Sequence, residues 1–389
     1  MPYTGPEPAR RPLSSDDITD GIVSTADLAD SAVTAAKVSS DVSQLGKNLL
    51  INGENSVNQR GTQTGLGASG SYLNDRWKYE GSGSGETGRF TASKGTGITG
   101  AAGSQRIEVT TADAVLAAGH IYLVTQKIEA QNLQHLFYGT ASAKSLTYQA
   151  TFKSNHAGDF TLKFLAPDGS RTYVTTVTLV GDESQETFTF TLTGDASGTI
   201  NNDTGVGLEV MLTLAAGSNF QGGTTGAWTA EANNTYGALN SNNFFDTVGN
   251  YIEFSLVQLE VGSVATDFEH EDYGTTFAKC LRYFERIQGD GVSIQRWSAG
   301  GVRNTTQADA WARYSHKRAV PTVTHSSATS VTFIAKASGN QSTSIATDQI
   351  TQTSTRTVVT VSGGGLTAGD GAVFYFTLVG DYIDVSAEL

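Results

Sequence analysis

Between residues 90 and 259 the chain repeats one device: a short run of alternating apolar and polar side chains, then a cluster of Gly, Asn, Asp or Pro. The runs fall at 105–110, 121–128, 146–154, 160–166, 173–180, 186–193, 207–214 and 252–259. A period of two places successive side chains on opposite faces of a strand. Clusters such as Pro167-Asp168-Gly169 and the stretch 194–198 reverse the chain between them. Runs this short and this closely spaced predict an all-β protein built on a large jelly-roll β-sandwich. Residues 123–136 have a mixed pattern that leaves room for one helical turn.

The period changes across 252–287. Ile252, Phe254, Leu256 and, after a break at Val257, Leu259 keep the alternation of a strand. Phe277, Leu281 and Phe284, with Cys280 and Ile287 beside them, fall at three- and four-residue spacing. That is one face of a helix of about three turns, with Thr275 or Thr276 as its cap. An acidic link (Asp267, Glu269, Glu271, Asp272) joins the two, and its bland reading is a solvated linker. Beyond the helix, runs at 292–297, 308–314, 322–335, 341–347, 356–362, 372–378 and 382–387 predict a second, smaller β-sandwich. The expected organisation is an extended segment over 1–45, a jelly roll over 46–274, and helix plus sandwich over 275–389.

The first segment cannot hold a core of its own. Pro2, Pro6, Pro8 and Pro12 deny it regular hydrogen bonding, and a ten-residue repeat follows, in which Ile18, Asp20, Ile22 and Val23 are echoed by Leu28, Asp30, Ala32 and Val33. One or two apolar residues per repeat need neighbouring chains to close a core; a low-complexity linker is the alternative. The N-terminus has no apolar run of the signal-peptide kind, and no segment nears the roughly 20 apolar residues of a membrane span. Synthesis in a cytoplasm without membrane insertion is therefore expected. The net charge of −13 argues against nucleic acid as a partner.

Several stretches resemble the phage tail fibre family of receptor-binding virion appendage proteins. Near the start they are Asn48, Leu49, Asn52, Gly53, Asn58, Gln59, Arg60, Gly61, Tyr72, Asp75, Arg76 and Trp77. At the junction they are Gln258, Leu259, Glu260, Gly262, Ala265, Thr266, Phe268, Glu269, Tyr273, Cys280, Arg282 and Tyr283, with a departure from the family's usual Arg around His270 and Glu271. The phrase KRAVPTVT, with Lys317 in place of Met, and the closing YIDVSAEL complete the pattern. The resemblance implies a carbohydrate-binding-module-like (galactose-binding-like) jelly roll in a virion protein. It further implies a homotrimer, attachment to other tail or baseplate proteins through the N-terminal segment, and adsorption to host surface glycans. A purely structural fibre or decoration protein is the rival.

Chemistry-bearing motifs are sparse. The six histidines show no metal-ligand spacing, and neither a nucleophile elbow nor a phosphate loop appears. No catalytic residue, metal or cofactor is assigned, and an enzyme is not expected; Glu269, Glu271 and Asp272 would make only a guessed glycosidase pair. Cys280 reads as a small buried hydrophobe. Trp77 reads as core, and Trp297 and Trp311 as core or trimer seam. The stretch 216–243 has no strand period and carries Trp228 and Tyr236 among Gly and Asn. Either these rings stack on a sugar, with Asn233, Asn234 and Asn240 supplying amide hydrogen bonds, or both fold back onto the sandwich edge.

Overall fold

The strands follow the alternating runs, and they number as follows in the first part of the chain: β1 (Gln63–Leu66), β2 (Lys78–Ser82), β3 (Arg89–Gly95), β4 (Ser104–Thr111), β5 (Ile121–Glu129) and β6 (Leu146–Ser154). Then come β7 (Gly158–Ala166), β8 (Arg171–Leu179), β9 (Gln185–Leu192), β10 (Val206–Ala216), β11 (Thr229–Ala230) and β12 (Tyr251–Val261). The computed structural model describes residues 46–67, 70–82, 86–240, 242–289, 295–335 and 338–389; the proline-rich arm and repeat of 1–45 lie outside the described residues. Two antiparallel six-stranded sheets result, in the orders β1-β3-β4-β12-β6-β9 and β11-β8-β7-β10-β5-β2. Inward residues of both meet in one core that includes Tyr79, Phe90, Tyr122, Phe152, Phe160 and Phe164. Trp77 belongs to it, edge-on to Phe254 at 4.9 Å. The mixed stretch after β5 is a 3-10 helix, Ala130–Leu136.

The break in alternation at Val257 is a β-bulge. The pairing of β12 with β6 slips between Ser255 and Gln258, and Leu256 takes φ 51°. A bulge bends a strand and frees backbone groups. Here Val257 N–H donates to Gly53 O at 3.0 Å, and Asn48 Nδ2 donates to Val257 O at 2.9 Å. Gly53 must lack a side chain, because a Cβ there would lie 2.2 Å from Val257 O.

The C-terminal part holds α1 (Tyr273–Leu281), β13 (Phe284–Gln288), β14 (Arg296–Val302), β15 (Gln307–Arg313), β16 (Thr322–His325) and β17 (Val331–Ala335). It continues with β18 (Ser338–Gln341), β19 (Ser344–Asp348), β20 (Ser354–Thr360), β21 (Gly371–Phe376) and β22 (Tyr382–Ser386). A three-stranded sheet β13-β22-β16 and a seven-stranded sheet β18-β17-β21-β14-β15-β20-β19 form it. Trp297 packs into this part against Phe374 and Phe376, whereas Trp311 is exposed.

Three expectations are corrected here. The helix stops at Leu281, and Phe284 and Ile287 belong to β13, which pairs with β22 through Phe284–Ser386 and Ile287–Ile383. Its cap is Asp272, whose carboxylate accepts from Gly274 N at 2.9 Å and Thr275 N at 3.2 Å, because an acid at the N-cap satisfies otherwise orphaned helix N–H groups. The runs 322–335 and 341–347 are each interrupted by a turn. Cys280 is buried, and burial pushes its thiol up, as for an inert core residue.

The acidic link is a solvated spacer only in part: Asp267 and Asp272 are exposed, whereas Glu269 is buried and Glu271 half-buried. Glu269 is 7% exposed and accepts from the backbone N–H groups of Gly46 and Asn48. Glu271 accepts from Thr276 Oγ1 and pairs with Lys279. The carboxylates nominated as a glycosidase pair are thus engaged, Glu269 and Asp272 with backbone N–H groups and Glu271 with the side chains of Thr276 and Lys279.

The family-like residues come together in one joint between the jelly roll and the C-terminal part. Asn48 Oδ1 accepts from Leu259 N, and Gln258 Oε1 accepts from Glu269 N. Gln59 bridges Asp75 and the backbone of β13. Arg76, at φ 73° and with a side chain 2% exposed, lies 3.5 Å over the Tyr283 ring and pairs with Glu388 near the C-terminus. Arg60 stacks on Phe284 and reaches the same carboxylate at 3.2 Å. Arg282 forks onto the fully buried Glu129 of β5 with two 2.8 Å bonds.

Candidate binding cleft on the outer sheet face

One face of sheet β11-β8-β7-β10-β5-β2 points away from the core, and the stretch 217–240 is strapped across it. The strap is fixed by backbone bonds from Gly217 N to His120 O (2.7 Å), Gly226 N to Val174 O (2.8 Å) and Glu231 N to Ser170 O (2.8 Å). Asn240 is buried at its far end: its Oδ1 accepts from Thr161 N at 2.9 Å and its Nδ2 donates to Thr213 O at 3.3 Å.

Between strap and sheet lies an open cleft of about 310 Å³, lined by Glu80, Gly81, Ile121, Leu123, Phe220, Asn233 and Tyr236. Ile121 and Leu123 of β5 form its apolar floor, with Phe220 and Tyr236 packed against them. Glu80 and Asn233 provide acceptor and amide groups at its edge.

Charges of alternating sign cross the sheet beside it. Glu80 Oε1 is 2.7 Å from Lys78 and 3.2 Å from Lys127, and Lys127 is 3.7 Å from Glu209. Burial pushes Glu80 up, but hydrogen bonds and charge from Lys78 and Lys127 hold its carboxyl below the usual range. Glu209 is shifted upward by burial despite Lys127 and Thr125. Lys163 of β7 is wholly covered by the strap: its Nζ sits 3.0 Å from the Tyr236 ring centre and 3.8 Å from Glu231, too far for a hydrogen bond. Burial pushes its amine down to about 8, against the pull of Glu231 and Glu209. The Tyr236 hydroxyl donates to Glu231, so the ring is held at both ends.

Of the residues selected in sequence, Tyr236 and Asn233 line this cleft. Trp228 does not: its Nε1 donates to Thr193 O at 2.6 Å and its ring lies edge-on to Tyr138 and Tyr173, folded onto the sandwich edge. Asn234 is exposed outside the lining, and Asn240 has both amide groups engaged internally. Glu80, Phe220, Ile121 and Leu123 were missed. A signal existed: Ile121-Tyr122-Leu123-Val124 is apolar at every position, which says that β5 is covered on both faces.

No family model matches the chain, and no curated protein matches it. Among solved structures, the chain is similar to the enzymatically active domain of bacteriophage CBA120 tailspike protein 4, with 11% identity over 56% of this chain and 22% of that one, at TM-score 0.30. It is also similar to a carbohydrate-binding module of the CBM4 type (17% identity, 54% of this chain and 98% of that one, TM-score 0.30). A third is a family 11 carbohydrate-binding module from Clostridium thermocellum in complex with a mixed-linked tetrasaccharide (15% identity, 52% and 100%, TM-score 0.26). Superpositions this loose carry no function from those proteins to this chain.

Proposed function

We propose that this protein is a phage tail fibre or related virion appendage that adsorbs to host surface glycan, and that the cleft under the strap is a glycan site. The observation that carries the reading is the cleft itself: an open volume of about 310 Å³ with an aliphatic floor, two aromatic walls, a carboxylate and an amide. Small-ligand sites have this make-up, a mainly apolar lining with a few placed polar groups, and begin at roughly 300 Å³. A sugar ring offers the matching surface, with an apolar C–H face for Tyr236 or Phe220 and hydroxyls for Glu80 and Asn233. The appendage setting, the homotrimer and the virion location rest on the sequence resemblance, and the expectation of a binding protein over an enzyme rests on the sparse catalytic motifs of the sequence. Shallow sites of this size gain strength through multiplicity, by about 10² to 10⁴ in avidity when several act together.

The test is binding of the full chain to host cells and to a glycan array, beside Tyr236→Ala and Phe220→Ala. Trp228→Ala serves as a packing control. Saturable binding lost in the two cleft variants supports the reading. Absence of binding by an intact oligomer favours a purely structural fibre or decoration protein.

A further inference from the structure

A second surface, on the seven-stranded sheet of the C-terminal part, has a different character. Inward residues of β15 are Ala308, Ala310 and Ala312, all buried. The alternation therefore turns Trp311 outward, and it is 46% exposed. Its partner on β20 is Arg356. On its other side β14 offers almost no side chains: Gly300 pairs with Ala310, Gly301 pairs with Asp309, and the next residue along is the exposed Ala299. Gly300, opposite the inward Ala310, belongs to the other face, so the β14 positions beside Trp311 on the outer face are Ala299 and Gly301. The indole thus stands beside a smooth, bare strip of strand.

The charge around it runs against that of the whole chain, whose net charge is −13. Arg356 is forked by Asp348 at 2.7 and 2.6 Å, and Asp309 lies 3.8 Å from both Arg303 and Arg356. Arg313 and Arg296 are exposed, and neither has an ion pair among the described residues. β15 ends at Arg313 and the antiparallel β14 begins at Arg296, so both cations fall at one end of the ladder, just beyond Trp311.

We propose that this face binds an acidic glycan, with a sugar ring stacked on Trp311 and its carboxylate held by Arg313 and Arg296. A large indole presents its apolar face to a ring without steric interference from the bare strip. Guanidinium groups match carboxylates in shape and charge. The lysines beside the cleft of the jelly roll, Lys78, Lys127 and Lys163, each lie within 4 Å of a carboxylate of Glu80, Glu209 or Glu231, whereas Arg296 and Arg313 have no such partner among the described residues, so the two surfaces select different sugars. The inference stands independently of the cleft.

The experiment is calorimetric titration of the full chain with tetragalacturonate and with a hyaluronate oligomer, beside neutral maltotetraose, at low and high salt. At least one acidic probe is expected to bind, more weakly at high salt. Trp311→Ala and the double variant Arg296→Gln/Arg313→Gln are expected to lose tenfold or more in affinity. Trp311→Tyr should keep most of it. Trp311 is exposed, so its variants should melt with the parent. The proposal is overturned if neither acidic probe binds, if maltotetraose binds as well, or if Trp311→Ala binds unchanged. It is also overturned if Trp311→Ala lowers the oligomeric mass by light scattering, because the face would then be a seam between copies.

Discussion

Replacing Glu388 by Gln should loosen the joint that holds the two parts together. The carboxylate is 4% exposed and is shared by Arg76 and Arg60, whose side chains are 2% and 9% exposed. Arg76 cannot follow a lost partner into water. Its other guanidinium nitrogen is held by Lys127 O at 2.6 Å, and its plane lies against Tyr283. Stranding a buried charge by removing its partner costs about 3–5 kcal/mol. Gln keeps the shape and one acceptor, so the low end, about 3 kcal/mol, applies. In a unit larger than 250 residues each kcal/mol moves the melting temperature by about 2 °C, giving a fall of roughly 6 °C. Scanning calorimetry is the assay, because it also shows whether the C-terminal part begins to melt separately. The control is Asp348→Asn, which breaks the fork to Arg356 at a carboxylate 49% exposed; such a surface pair should leave the melting temperature where it is. If Glu388→Gln melts within 1 °C of the parent, the joint is not held by this ion cluster and the reasoning fails.

Gly53→Ala should be among the most damaging single-methyl changes, since the new Cβ meets Val257 O, a backbone atom, at 2.2 Å and the Asn48 amide at 3.1 Å; a loss of about 3 kcal/mol in urea unfolding is expected from overpacking, and a cost under 1 kcal/mol would refute the contact. Acid should weaken the C-terminal part through His325, whose pKa burial pushes from 6.5 down to about 4. The unfolded chain then binds the extra proton between those values, so stability is full above pH 6.5 and falls toward pH 4, by up to about 3 kcal/mol. His325→Phe should flatten that part of the pH profile of chemical denaturation; an unchanged slope would remove His325 as its source.

The period-two runs and their turns were enough to set the β class and most strand positions in the jelly roll, because alternation and turn chemistry are local. Local pattern misled where a second force was stronger. The apolar spacing of Phe277, Leu281, Phe284 and Ile287 suits a helix, yet pairing with β22 draws the last two into a strand. Phe277 instead stacks on Tyr273 at the surface, 5.9 Å between ring centres. The residues that resemble the tail fibre family were visible in sequence as a pattern, but their work as a joint was not. It depends on contacts such as Arg76 with Glu388, 312 residues apart.

The four tryptophans separate what each level decided. By itself the sequence read Trp77 as core, Trp297 and Trp311 as core or trimer seam, and Trp228 as a loop ring that either stacks on a sugar or folds onto the sandwich edge. The structure bears out Trp77, and only the tertiary structure seated Trp297 in the core, chose the sandwich edge for Trp228 and left Trp311 in solvent. The same separation holds for the cleft: Tyr236 and Asn233 were nameable from composition, but Glu80, Leu123 and Phe220 reach it from strands and a loop far apart in the chain. The reason is register. Shifting a strand by one residue exchanges its two faces, and in β15 that would bury Trp311 and expose Ala310 and Ala312. Register is fixed by partners such as Thr360, paired with Gln307 across the fold, and no local window of sequence contains them.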